Sequence, residues 1–449
     1  MKVAKFGGSS VASAEQIEKV ANIIKTDLQK KFIVVSAPGK RHKSDQKMTD
    51  MFIQLWKANQ QKASLEPFID PIIKRFTEIV EQLSLSFTIV GEIKQSINKL
   101  LHMEEAPIRK LDALKAIGED SSAKILSAYL TSIGLEARYV NPREAGVMVS
   151  DEPGNGKILP ESFEMIYKLR STKGISVIPG FFGYTNDGKL ITFSRGGSDI
   201  TGSIIAAGVK ADLYENYTDV DSVYAVNPSI VDNPKKITTL TYKEMRELSY
   251  AGFSVFHDEA LIPAYREKIP VCIKNTNNPQ ATGTFIVSEK KPSEKCVVGI
   301  ASDTGFCSIY ISKYLMNREI GFGRKVLSIL EEESISFEHA PSGIDDLSII
   351  IREKHLPLEK EKQVLERIQK ELCPDLISIH RNLAMIMIVG EGLVRTIGVA
   401  QKATSAISSA NVNIEMINQG SSEVSMMFGI IADDLEKAVQ SLYNAFFVK

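Results

Sequence analysis

The chain has 449 residues, 43% of them hydrophobic and 24% charged, with a formal net charge of -1; this excludes a disordered chain and a broadly basic nucleic-acid surface, and the length calls for about three domains. No run of eighteen apolar residues occurs, and the short apolar start is broken by Gly7 and Gly8, so neither a membrane span nor a secretory leader is expected. Cys272, Cys296, Cys307 and Cys373 lack any zinc-site spacing and read as reduced thiols of a cytoplasmic protein, with no metal cluster expected.

Residues 3–6 form a short apolar strand running into Lys5-Phe6-Gly7-Gly8-Ser9-Ser10, and a helical pattern follows from Ala14 through Ile17, Val20, Ile23 and Ile24. Glycine lets backbone N–H groups approach a ligand, and a helix N-terminus attracts anions, so this turn suits a phosphate with Lys5 beside it. Read alone, it is more often a plain tight turn. It is neither GxxxxGK[ST] nor GxGxxG, so P-loop and Rossmann labels both fail.

Residues 32–35, 175–178 and 190–193 read as further buried strands, and the spacings in 69–83 and 90–101 predict amphipathic helices between them, an α/β alternation. Glu119, in AIGEDSSA, reads by itself as a charge at a helix N-terminus. ITFSRGGSDITGS repeats the strand, glycine, hydroxyl and helix order, now with Arg195, Gly196, Gly197, Ser198 and Asp199. Arginine grips a carboxylate in a two-pronged fashion; a capped helix with a surface ion pair is the alternative. Thr218, Asp219 and Asp221, in TDVD, are solvated acids unless a divalent cation or a ribose lies between them and an anionic nucleotide. Two anion cradles, a lysine, an arginine and acids make the inventory of phosphoryl transfer, which needs positioning and charge neutralisation more than covalent chemistry.

The Lys/Glu/Ser/Pro stretch 288–295 marks a domain boundary. Beyond it, IGFGRKVLSILEEESISFEHAPSG from Ile320 and IGVAQKATSAISSANVNIEMINQG from Ile397 align without a gap, each reading as a glycine turn, a helix, a strand and another turn. Two small α+β modules are predicted.

The ordered motifs KFGGSS, VVSA, the Glu119 segment, PGFFG, RGGSD, TDVD and IPVCIKNTNNP resemble those of the aspartokinases, within the amino-acid-kinase family, and the paired tail resembles tandem ACT domains. The resemblance implies a three-layer αβα sandwich over 1–294, followed by ACT-type modules over 295–377 and 378–449, with a strand before the first repeat joining the second module. It implies phosphorylation of the side-chain carboxylate of L-aspartate by ATP with Mg2+, and feedback by lysine and/or threonine. Lys5 would neutralise the transferred group and Asp199 would orient it, with Gly7, Gly8 and Ser9 lining the phosphate turn. Arg195, Gly196, Gly197 and Ser198 would hold the α-carboxylate, Glu119 the α-ammonium, Thr49 and Phe181 the rest of the aspartate. Thr218, Asp219 and Tyr224 would face the nucleotide.

Two departures fall on the nucleotide side: Ser229 and Ser254 stand where relatives often carry arginine and lysine, and Lys235, Lys236 and Lys274 are the candidates to compensate. His257 reads as structural. Met316, Gly321, Phe322 and Gly323, with Ser336 and Glu338 on a facing strand, are the expected effector site. The resemblance also implies a homodimer or larger homo-oligomer through the ACT modules, and the end at Lys449 suggests a monofunctional enzyme. A non-catalytic amino-acid sensor and a kinase of another amino acid are the alternatives.

Overall fold

The computed structural model describes residues 1–194, 196–253, 256, 258–290, 296–420 and 424–448. Arg195, Ser254 and His257 lie outside these, as does most of the 288–295 stretch. The chain divides into two units, Met1–Val223 with Lys236–Met245 and Ser254–Lys291, and Tyr224–Lys235 with Arg246–Phe253 and Pro292–Lys449. Two short excursions from the N-terminal block, 224–235 and 246–253, thus belong with the second unit.

The first unit contains strands β1 (Lys2–Phe6), β2 (Lys30–Val35), β3 (Ala137–Tyr139), β4 (Ile175–Pro179), β5 (Phe182–Tyr184), β6 (Leu190–Thr192), β7 (Leu213–Thr218), β8 (Thr239–Thr241), β9 (Val271–Asn275) and β10 (Thr284–Val287). Its helices are α1 (Ala14–Lys25), α2 (Met48–Gln60), α3 (Glu66–Gln82), α4 (Thr88–His102), α5 (Pro107–Ser132), α6 (Pro142–Ala145), α7 (Glu161–Tyr167), α8 (Gly197–Gly208) and α10 (Ile262–Arg266), while α9 (Tyr242–Tyr250) begins in this unit and its residues from Arg246 on are counted with the second. One sheet runs β3-β4-β2-β1-β7-β9-β10-β8, parallel through β9 and antiparallel between β9 and β10.

Helices cover both faces, so the central strands are apolar almost throughout. Alternation along β1 decides what each face receives. Ala4 and Phe6 join Ile33, Val35 and Val177 in a core closed by α1 to α5, and Phe6 stacks on Tyr217 with ring centroids 4.7 Å apart. Lys5 faces the other side, where α8 packs on β1, β2 and β7.

Residues 3–6, 32–35 and 175–178 are the neighbours β1, β2 and β4, whereas 190–193 supplies β6, which stays outside this sheet. β6 pairs antiparallel with β5 across a local turn in which Thr185 and Lys189 exchange hydrogen bonds. A short loop containing Asp187 and Gly188 closes such a hairpin more readily than a crossover does.

The second unit holds β11 (Gly299–Ser312), β12 (Asp346–Arg352), β13 (Leu376–Val389), β14 (Met416–Asn418) and β15 (Ser425–Ile431), with helices α11 (Phe322–Glu332), α12 (Leu358–Leu372), α13 (Val399–Ser409) and α14 (Leu435–Phe447). The antiparallel order is β12-β11-β13-β15-β14. β11 and β13 pair along their whole length: Gly299 to Thr304 lie beside the part of β13 that also pairs with β15, while Phe306 to Ser312 lie between β12 and the start of β13. The strand ahead of the first repeat therefore serves both halves, and residue 377 falls inside β13. Cys307, Ile309 and Ile311 pack on α11 and α12, whereas Ser308 and Tyr310 line an open concavity of about 690 Å3.

The repeat is visible in the backbone. Gly321 and Gly398 cap α11 and α13 with φ of 81° and 85°. Residues 336–338 do not form the strand expected there; a single bridge pairs His339 with Ile350. The left-handed conformation disfavours a Cβ by roughly 1–2 kcal/mol, and a methyl would meet no clash at either glycine. Gly321→Ala and Gly398→Ala should therefore each destabilise the chain by about that amount, and by similar amounts, in chemical denaturation.

Candidate active site

A buried ammonium organises the site. Lys5 is 6% exposed, and its Nζ lies 2.6 Å from Oδ1 of Asp199 in the first turn of α8. Asn216, paired with Lys5 across β1 and β7, donates from Nδ2 to the same oxygen at 2.8 Å. An unpaired charge at such depth would be strongly unfavourable, so the carboxylate is obligatory. Gly196, at φ 75°, turns the chain so that α8 begins directly over the sheet. Ser198 is buried in that first turn.

The KFGGSS turn differs in one respect from its sequence reading. It does not itself lead into the helix: Gly8–Val11 forms a single 3-10 turn, and α1 starts at Ala14, where its spacing placed it and where Ser13 accepts the Gln16 N–H at 3.4 Å. Five residues between the glycines and the helix leave room for that separate turn. Gly7 N–H donates to Tyr217 O at 3.0 Å, Gly39 N–H donates to Gly8 O at 2.8 Å, and the Ser10 and Thr276 hydroxyls lie 2.6 Å apart. Ser9 is half-buried between these anchors.

Glu119 is not at a helix N-terminus. It sits mid-way along α5, 5% exposed, with Oε2 buried and free of any hydrogen-bond partner. Burial pushes its carboxyl up to about 8, against the opposing pull of the Ala37 N–H, Lys115 and Lys5. An α5 residue that the sequence reading missed, Lys115, approaches the Phe181 ring to 5.4 Å and is tied to Asp112 at 2.9 Å and Thr192 Oγ1 at 3.1 Å. Phe181 adopts φ 76°, unusual for an aromatic residue. Thr201 Oγ1 accepts its N–H at 3.0 Å and Phe193 N–H donates to its carbonyl at 2.8 Å, holding that conformation. Thr49, half-buried, lies in the first turn of α2.

At the end of β7, Thr218 Oγ1 donates to Asp219 Oδ1 at 3.1 Å, and Asp219 is exposed. Asp221 is occupied by Asn275 at 2.8 Å, Asn278 at 3.3 Å and Lys236 at 3.2 Å. Tyr224 and Lys235 belong to the second unit, where Lys235 donates to Phe447 O. Lys274 lies half-buried on β9. Among the described residues no three His, Cys, Asp or Glu side chains form a metal cluster, and no helix is long and apolar enough to cross a membrane.

A model of the amino acid kinase family matches residues 1–275, and an ACT domain model matches residues 386–446. Aspartokinase 3 of Bacillus subtilis (strain 168) is 54% identical over 448 residues, covering 100% of this chain and 99% of that protein. The chain belongs to the aspartokinase family. The crystal structure of Clostridium acetobutylicum aspartate kinase matches with a TM-score of 0.88 at 41% identity, covering 99% of this chain and 100% of that one. E. coli aspartokinase III in complex with aspartate and ADP matches with a TM-score of 0.81 at 23% identity over 100% of both chains, a likeness of fold.

In this aspartokinase the residues expected to form an effector site are distributed through the second unit. Met316 opens a short 3-10 turn, Gly321 caps α11, Phe322 is buried beneath Lys313, and Gly323 faces open space. Ser336 pairs with His355 at 3.1 Å, and Glu338 pairs with Arg352 at 3.3 Å and with the Tyr250 hydroxyl.

Because the folded chain raises the Glu119 carboxyl, a buried protonated acid should persist at pH 7 and ionise as pH rises through about 8. Infrared difference titration should show a carboxylic C=O band lost in that range and absent from Glu119→Gln.

Proposed function

We propose that this chain transfers the γ-phosphoryl group of ATP to the side-chain carboxylate of L-aspartate, yielding 4-phospho-L-aspartate and ADP, the first step toward lysine, threonine and methionine. The observation that carries this reading is the Lys5–Asp199–Asn216 cluster around a buried ammonium, together with a buried Glu119 carboxyl whose Oε2 has no hydrogen-bond partner. A carboxylate oxygen attacks phosphorus while the bond to the β,γ-bridging oxygen breaks. The nucleophile is already ionised near neutral pH, so no general base is needed; the demand is for charge neutralisation and alignment.

Lys5 meets the migrating group, with residues 7–9 as the phosphate turn and Asp199 holding the ammonium in place. Glu119 receives the substrate α-ammonium, whose charge favours the ionised carboxylate. Thr49, Phe181 and Ser198, with the Gly196 and Gly197 backbone, complete the aspartate pocket, and the family role of Arg195 is to grip the α-carboxylate. Thr218 and Asp219 serve the nucleotide. Mg2+ characteristically takes one or two carboxylates and leaves its other positions to phosphates and water. Asp219 fits that demand, being exposed and single, and the ion would supply further neutralisation of phosphate charge. Ser229 and Ser254 motivate the alternative of a sensor without catalysis, against which the intact lysine cluster speaks. The reading extends to a cytoplasmic homodimer joined through its ACT modules and inhibited by lysine, with threonine alone or jointly the second choice.

Lys5→Ala should lower turnover on the order of 10³-fold, measured as hydroxamate-trapped aspartyl phosphate; turnover near that of the parent would remove Lys5 from the chemistry. A ligand selective for the folded state raises its melting temperature, so lysine should shift the melt of the full chain. A shift with threonine and none with lysine would reassign the effector.

A further inference from the structure

The segment joining β2 to α2 folds back against the phosphate turn. Gly39 N–H bonds Gly8 O, and a methyl on Gly39 would lie 2.5 Å from Gly8 C and 2.7 Å from Ser9 N, while one on Gly8 would lie 2.9 Å from Ala37 O. The two backbones therefore touch, and the position of one sets the position of the other.

What holds the outer backbone down is Arg75, on α3, a residue outside every motif. It is 3% exposed in a helix whose neighbours Ile72, Phe76 and Ile79 are core residues. Its Nη2 donates to Gly39 O and its Nη1 donates to Gln46 O at 2.7 Å, so one guanidinium bridges both ends of the 39–46 loop. Asp45 Oδ2 lies 3.4 Å from Nη2, and Asp45 also accepts the Arg41 backbone N–H and Nε–H, each at 2.9 Å. Arg41 reaches back to Glu78 on α3 at 3.1 Å. A guanidinium offers its donors in one rigid plane, so it fixes the separation of the two carbonyls as a lysine could not. Burying it is costly, and among the described residues its polar partners, Gly39 O, Gln46 O and Asp45, all lie in this loop.

We propose that Arg75 is a positioning residue for phosphoryl transfer: by clamping the 39–46 loop it presses Gly39 onto Gly8 and sets the backbone of the phosphate turn. This rests on reading residues 7–9 as that turn. Displacing reacting groups by about 1 Å can cost on the order of 10²-fold in rate, and Arg75 acts at that scale through a single backbone contact.

The test uses the full chain and compares Arg75→Met, Arg75→Lys, Gly39→Ala and the Arg75→Met/Gly39→Ala double variant, with kcat measured well below each melting temperature. Arg75→Met and Gly39→Ala should each lose kcat by on the order of 10²-fold. The double variant should lose little more than either, because both act through the same contact. A general loss of packing would lower the melting temperature without this non-additivity. Should Arg75→Met not accumulate as folded protein, Arg75→Lys, which keeps the buried charge, takes its place with the same expected loss. A kcat within about threefold of the parent in the folded Arg75 variant, or losses that multiply in the double variant, overturns the proposal. Lys5→Ala separates the two readings: its failure to lower turnover removes the phosphate turn itself, whereas its expected loss beside unaffected Arg75 variants removes only the clamp.

Discussion

Burying one lysine imposes most of the active-site architecture. The side chains of β1 alternate between two covered faces, so Lys5 must leave the sheet into a layer where water cannot solvate it. Only a carboxylate delivered from that same layer can compensate, and Asp199 is delivered by the first turn of α8. This fixes the start of α8 over β1 and β7. Asn216 completes the cluster from the next strand in register.

The chamber next to it has the opposite problem. Glu119 is a buried acid whose nearest cations, Lys115 and Lys5, are not enough to keep it ionised. A substrate that brings an ammonium group of its own relieves that imbalance, so ligand charge and protein charge are completed together. Local strain is tolerated at the same place. Phe181 holds a positive φ, a conformation that costs an aromatic residue about 1–3 kcal/mol and persists where neighbouring bonds over-determine it. Thr201 and Phe193 are those neighbours.

In the second unit the two repeats are not separable beads. β11 and β13 each run for fourteen residues through both halves of one sheet, so each half is completed by backbone that the other also uses. A perturbation that shifts either strand is felt on both sides, because ladder hydrogen bonds transmit register. Glu338 illustrates how occupied this unit is internally: it is tied to Arg352, which is itself held by Asp303 on β11.

Much of this was legible in residue order. Strand and helix periods located β1, β2, β4, α1, α3 and α4, and a gapless repeat located α11 and α13, because burial of one face is a local demand that each segment records in its own spacing. The glycine turns and their flanking charges marked the chemistry, since only certain side chains suit a phosphate. Pairings across long stretches of chain left no such record. That Lys115 and Thr201 would reach Phe181 and that Arg75 would reach Gly39 were decided by tertiary packing, where a group's environment comes from segments distant in sequence; the β5–β6 hairpin and the place of Glu119 within α5 are local features that the residue order left ambiguous.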